Sequence, residues 1–210
     1  MIDDFLRLPR TPLEWGADLV RALGVLGIAA AFIWFAPTDA GVVAAALPAV
    51  FAPRFLGARA GFDLVSGLVV LAAAWSNVFD LYRSVPGWDL VMHVVCTGVL
   101  AALLYLALAR LDVVPAARGE GTLRRTPVVV VTALGLALGA MWEMIEWLGK
   151  TFVTDEIFVT YTDTIGDLAA DGVGGLLAGF AVAFVRLTRR DPDAGTADRA
   201  MMRGIAGGSA

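Results

Sequence analysis

An all-α, polytopic membrane bundle of about six transmembrane helices is the fold class this chain predicts, and three observations predict it. Apolar residues make up 59% of the chain and charged residues 17%, with a mean hydropathy of +0.76. A soluble domain of this size has too little polar surface to cover that much apolar material. The apolar residues come in continuous runs of roughly 20, the length that crosses hydrocarbon as a helix. They show none of the alternation of a barrel strand. The basic residues, finally, collect in alternate connections, as the loops of a multi-span protein do.

The elements follow in order. The chain opens on Asp3 and Asp4, and its first apolar run is as long as a full span. It therefore reads as an uncleaved first helix rather than a signal peptide, expected over Asp18–Ala36. Arg21, just inside that span, is expected to snorkel to the interface. The second span, Ala40–Phe55, is short and carries Pro48. The third is expected over Phe62–Tyr82 and the fourth over Asp89–Arg110. The fifth is expected over Pro127–Leu148 and the sixth over Thr164–Leu187. Residues 1–190 read as one transmembrane helical domain without internal repeats. Residues 191–210 are polar and Gly/Ala-rich, and read as a disordered cytoplasmic tail.

Placing the N-terminus in the cytoplasm tests this topology. The cytoplasmic side then receives Arg7, Arg10, Arg21, Arg54, Arg59, Arg110, Arg118, Arg124, Arg125, Arg186, Arg189, Arg190, Arg199 and Arg203 of the 16 basic residues. Only Arg83 and Lys150 stay outside. Short loops orient by their Lys/Arg bias, so both termini are expected inside. Asp39, Asp80, Asp89, Glu143, Glu146, Asp155, Glu156, Asp163, Asp167 and Asp171 then all fall on the outer side. Acidic residues contribute little to the orientation rule, so their segregation is close to an independent observation.

Several of these acids lie inside spans, where an ionised carboxylate costs at least ~2.5–3.5 kcal/mol and needs a partner. Residues three or four apart share a helix face. Asp89 and His93 are four apart, Glu143 and Glu146 three apart, and Asp163, Asp167 and Asp171 successively four apart. Asp171 should sit ~12 Å beyond Asp163 along the axis, well into the hydrocarbon layer. Three polar stripes at similar depth should face one another rather than lipid. The expected lining is His93, Glu143, Glu146, Asp163, Asp167 and Asp171, with Asp80 and Asp89 at the mouth. Several bare anions cannot share a low-dielectric site. Either some are protonated or a cation sits among them. Oxygen ligands with one imidazole favour Mg, Mn or Ca over Zn, which draws on more His or Cys than this chain has. The expected metal ligands are Glu143, Glu146, Asp163, Asp167 and Asp171, and the expected catalytic groups are His93, Glu143 and Asp167.

Plainer duties compete for some of these residues. Asp163 can cap the sixth span. Asp155 and Glu156 fall in a loop and read as solvated. Gly135 and Gly139, and Gly175 and Gly179, have the spacing that lets helices pack closely. Trp75, Trp88, Trp142 and Trp147 suit an interfacial belt. The net charge of −4 excludes a nucleic-acid partner. Cys96 stands alone and reads as packing. No phosphate loop and no nucleophile arrangement is present, and a lone His93 excludes bis-histidine haem.

The segments Asp89-Leu-Val-Met-His93, Trp142-Glu143-Met-Ile-Glu146-Trp147 and Tyr161-Thr-Asp163-Thr-Ile-Gly-Asp167-Leu-Ala-Ala-Asp171-Gly carry a resemblance. Over about residues 60–185 the chain resembles the YjdF-like bacterial inner-membrane proteins, a family of unknown function. More loosely it is similar to VanZ-like membrane proteins, associated with glycopeptide-antibiotic resistance. Asp89, His93, Glu143 and Asp167 could fill that pattern, whereas Glu146 and Asp171 stand where Gln and Asn are usual. The resemblance implies a multi-pass protein of the bacterial inner (plasma) membrane.

Three functions fit these residues. A divalent cation could act on a lipid or cell-envelope head group, with one carboxylate as general base. The buried carboxylates could instead mark a cation or proton transporter, although Asp63 is the main polar residue in the inner halves of the spans. Or the cation could be a structural clamp in a non-catalytic, envelope-associated protein.

Overall fold

The capping chemistry at the chain's turns sets where its helices begin. In the computed structural model, residues 1–117, 121, 123–154, 157 and 159–189 are described. Asp155, Glu156, Arg118, Arg190 and the 191–210 tail with Arg199 and Arg203 lie outside the described residues. A short α1 (Ile2–Leu6) precedes α2 (Pro12–Trp34). Helix α2 starts six residues earlier than Asp18, because Thr11 caps it. The Thr11 hydroxyl accepts from Glu14 N at 3.4 Å, and the Glu14 carboxylate accepts from Arg10 N at 2.7 Å and Thr11 N at 3.2 Å. Pro12 sits at the first helical position, where it needs no hydrogen-bond donor.

Helix α3 (Pro37–Phe55) follows after a two-residue link and runs back along α2, and α4 (Ala60–Val78) returns alongside both. The third span ends at Val78, short of Tyr82. Asp80 takes the left-handed conformation (φ 56°), which breaks the helix and starts the one-turn α5 (Leu81–Ser84). Helix α6 (Trp88–Arg110) contains a π-helical turn at His93–Thr97. Helix α7 (Arg125–Phe152) and α8 (Tyr161–Phe184) complete the order among the described residues. Thr160, not Asp163, caps α8: its hydroxyl accepts from Asp163 N at 3.3 Å. Asp163 lies in the first turn, where its charge suits the helix dipole.

Among the described residues, five helices are long and apolar enough to cross a membrane: α2, α4, α6, α7 and α8. Helix α3 is a regular 19-residue helix, but Asp39, Pro48, Pro53 and Arg54 keep it outside that group. Outward faces carry large apolar side chains such as Leu19, Leu23, Phe32, Val129, Leu177 and Phe180, as a lipid-facing surface requires.

Two three-helix groups make the bundle. Ala31, Ala40, Val43 and Ala74 pack α2, α3 and α4 together. Ala101, Ala102, Tyr105, Val131 and Val182 pack α6, α7 and α8. Leu56, Leu103 and Leu106 join the groups. The α7–α8 seam is built on small residues: Gly135 faces Gly175, and Gly179 faces the backbone of Val128.

The ends of the bundle differ in charge. At one end Arg54 Nη1 reaches Asp18 at 3.1 Å, Arg110 reaches Asp4 at 2.8 Å, and Arg124 lies 5.0 Å over the Phe184 ring. Arg21 does not snorkel. It is buried, pairs with Asp63 and holds Asp18 at 2.8 Å. A buried carboxylate on the neighbouring helix offers it a better partner than the distant interface. The same end joins the α3–α4 turn to the segment after α8: Thr188 bridges Ala58, Arg59 N donates to Leu187 O at 2.8 Å and Arg189 N donates to Gly57 O at 2.9 Å. The opposite end holds the acidic stripes.

Candidate functional site

His93 sits where the π turn of α6 begins, one α-helical turn after Asp89. A π turn inserts a residue and rotates the side chains after it, a device frequent at functional sites. The start of α6 is pinned to α4 by Trp88 Nε1 donating to Ser76 Oγ at 2.9 Å. Helices α6 and α8 then touch backbone to backbone. A Cβ on Gly174 would overlap the carbonyl of Val94, and one on Gly98 would lie 2.8 Å from Gly174 O. Only glycine permits that approach, and it brings the α8 carboxylates to the His93 ring.

Asp171 is the deepest member, with 0% exposure. Its Oδ1 accepts from Thr97 Oγ1 at 2.5 Å and lies 3.1 Å from His93 Nδ1. The gap it occupies is left by Gly139 of α7, where a Cβ would collide with the carboxylate. With Nδ1 committed to Asp171, the imidazole Nε2 is turned the other way. It lies 3.7 Å from Asp89 Oδ1 and 3.9 Å from Asp167 Oδ1. Donor atoms of Asp89, His93 and Asp167 all lie within 4.8 Å of one another. Asp167 and His93 are buried, while Asp89 is half-buried and opens the trio toward the end of the bundle.

Glu143 of α7 is 7% exposed and its Oε1 has no hydrogen-bond partner. It lies within electrostatic reach of Asp167 and of Glu146. Asp171 Oδ2 is likewise buried without a partner. Orphaned buried acceptors are costly, and each calls for a proton, a water or a cation. Beside the site, burial, followed by Cys96, Asp89 and Glu146, pushes the Tyr82 phenol above its ordinary pKa. It therefore stays neutral and donates to Ala73 O at 2.8 Å.

His93, Asp167 and Asp171 thus come together as their spacing implies, and Glu143 lies close by. Asp89, expected at the mouth, is a member of the donor trio instead. Ordinary four-residue helical spacing sets His93 against Asp89, and the close approach of α6 and α8 sets it against Asp167 and Asp171. Asp171, expected as a ligand, spends one oxygen on His93 and Thr97. Glu146 is half-buried and accepts from Trp142 Nε1 at 2.9 Å. Asp163 is half-buried in the first turn of α8, and neither belongs to the trio. Asp80 is exposed and bound to Arg83 Nε at 2.6 Å, a partner three residues away that holds it at the surface. Thr97 was not among the expected site residues. Its signal is the run Asp89, His93, Thr97 at four-residue spacing.

Residues 19–189 match the family model described as "Predicted membrane protein (DUF2238)". The match agrees with the YjdF-like resemblance, since YjdF falls within that family, and lends nothing to the VanZ-like one. No curated protein and no solved structure matches the chain.

Proposed function

The chain belongs to the DUF2238 family of predicted membrane proteins, and on that premise we propose a multi-pass protein of the bacterial inner membrane, crossing it six times with both termini in the cytoplasm. The sixth crossing is α3. Its Arg54 returns to Asp18 near the start of α2, so it covers nearly the same distance as its neighbours. The arginine-rich end faces the cytoplasm by the positive-inside rule, and the carboxylate end faces outward beside lipid head groups.

At that outward end Asp89, His93 and Asp167 hold a divalent cation. The observation that carries this reading is the surroundings of His93 Nε2. Its two carboxylate neighbours, at 3.7 and 3.9 Å, are too far to hydrogen-bond and near enough to share an ion. Ligand bonds of ~2.0–2.6 Å from each donor span such separations. Asp171 acts behind His93, holding the ring so that Nε2 is the ligand. Two carboxylates and one imidazole favour Mg, Mn or Ca over Zn. Such an ion polarises a phosphoryl or carbonyl oxygen, or acidifies a bound water. Glu143 serves as general base, and the substrate is a lipid or cell-envelope head group.

A structural cation site is the second reading, favoured by the full burial of Asp171 and its ties to His93 and Thr97 across two helices. Transport has less support, because Arg21 with Asp63 and Arg54 with Asp18 are closed into pairs at the other end.

The test is metal content. Purified protein loaded with Mn should hold one ion, and Asp89→Asn, Asp167→Asn and His93→Gln should hold none. Wild-type protein that takes up no metal, and melts at the same temperature with and without it, sinks the reading. Glu143→Gln separates the two roles. An enzyme loses cellular activity with its ion and melting temperature intact, whereas a clamp loses activity only when it loses stability.

A further inference from the structure

The donor trio is ringed by carboxylates that it does not use. Asp89 is half-buried at the end of the bundle, and Glu146 of α7 and Asp163 of α8, both half-buried, lie within electrostatic reach of it. We propose that the head group taken up here carries an ammonium group, seated on Glu146 beside Glu143 in the field of Asp89 and Asp163. The inference rests on reading this end as the place where a head group meets the ion.

Among the described residues no Lys or Arg pairs with Asp89, Glu143, Glu146, Asp163 or Asp167. The basic side chains at this end are engaged elsewhere: Arg83 bonds Asp80 at 2.6 Å, and Lys150 donates to Val159 O at 3.1 Å. Residues 151–163 add no further Lys or Arg. A divalent ion in the trio answers Asp89 and Asp167. It leaves Glu143, Glu146 and Asp163 over, and an anionic head group adds to that surplus. Like charges gathered away from bulk water repel strongly, so a ligand that brings positive charge is favoured over one that does not.

Glu143 is the second sign of a ligand. It is 7% exposed, its Oε1 has no hydrogen-bond partner, and it acts electrostatically on both Glu146 and Asp167. Glu143 and Glu146 share a face of α7. The Glu146 carboxylate is already positioned, since its Oε1 accepts from Trp142 Nε1 at 2.9 Å, and its other oxygen is left to a ligand. An ammonium brings three donors and a charge, which two neighbouring carboxylates can accept. Charge-assisted hydrogen bonds are roughly twice as strong as neutral ones, so the same seat discriminates against a hydroxyl head group. An amine-bearing phospholipid and a free phosphoamine share this chemistry.

The full-length protein, delipidated in detergent, is titrated with dihexanoyl phosphatidylethanolamine, its N-acetyl derivative, dihexanoyl phosphatidylglycerol and water-soluble phosphoethanolamine. The amine lipid should bind about tenfold or more tightly than the N-acetyl derivative and phosphatidylglycerol, which keep the phosphate and lack the ammonium. Whichever of the amine lipid and phosphoethanolamine binds more tightly identifies the source. Glu146→Gln should abolish most of the amine preference while Mn content stays at the wild-type level. If Glu146→Gln does not fold, Glu143→Gln is measured instead and should reduce the preference by a similar factor. Each titration is run on Mn-loaded and on chelator-treated protein. Mn uptake reads the ion and amine preference reads the carboxylates around it, so either can fail alone. Wild-type protein that binds none of the probes, or binds the N-acetyl derivative as tightly as the amine lipid in both states, overturns the proposal. So does folded Glu146→Gln, or its Glu143→Gln substitute, that keeps the full preference.

Discussion

His93 and Asp171 are bound to each other across two helices, Nδ1 to Oδ1 at 3.1 Å. That one contact fixes which imidazole nitrogen is available to Asp89 and Asp167. Asp171→Asn should therefore keep the donor trio yet lower Mn affinity by roughly 10–100-fold, as loss of a ligand's supporting carboxylate does. Titration calorimetry on the purified protein checks this. Unchanged affinity would mean that Asp171 is not what orients the ring.

Metal removal should soften the fold. An ion held only by the folded state adds about 2.7 kcal/mol at a hundredfold excess over Kd. Thermal unfolding in detergent should therefore shift upward with added Mn and return with chelator. In Asp167→Asn the two curves should coincide.

Gly139→Ala places a Cβ against the Asp171 carboxylate. Overpacking of this kind costs about 1–3 kcal/mol, and the variant should also release metal. Gly41→Ala is the control: nothing lies within 4 Å of its Cβ, so stability should hold. Melting temperatures of the two variants side by side decide the matter.

The buried Arg21–Asp63 pair should behave asymmetrically. Removing one partner, as in Arg21→Met, leaves a buried charge and should cost about 3–5 kcal/mol. The double variant Arg21→Met/Asp63→Leu should recover much of that loss. Denaturant unfolding of the three proteins measures it.

Orientation is read by labelling. In a Cys96→Ala background, Arg83→Cys should react with a membrane-impermeant maleimide in intact cells. Leu123→Cys, in the α6–α7 connection, should react only after permeabilisation. The reverse pattern would turn the carboxylate site toward the cytoplasm.

Much of the helical frame was legible because a long apolar run admits few alternatives. The stripes Asp167–Asp171 and Asp89–His93 were legible because helical periodicity fixes which residues share a face. Other features depend on contacts that spacing does not encode. Asp89 looked peripheral because spacing alone does not say how close α8 comes to the start of α6, and Thr97 went unmarked because a lone hydroxyl in an apolar run usually bonds its own helix, not a carboxylate on another. Arg21 resembled an interfacial arginine because its partner, Asp63, lies on another helix. The start of α8 was placed late because Thr160 competes with Asp163 for the same cap.

The pairing of residues 187–189 with the 57–59 turn has a consequence for biogenesis. The seam joins a segment made early to one made after α8. During synthesis the first three-helix group must wait in the bilayer with that turn unmatched. The two groups are stitched shut only when α8 has left the ribosome.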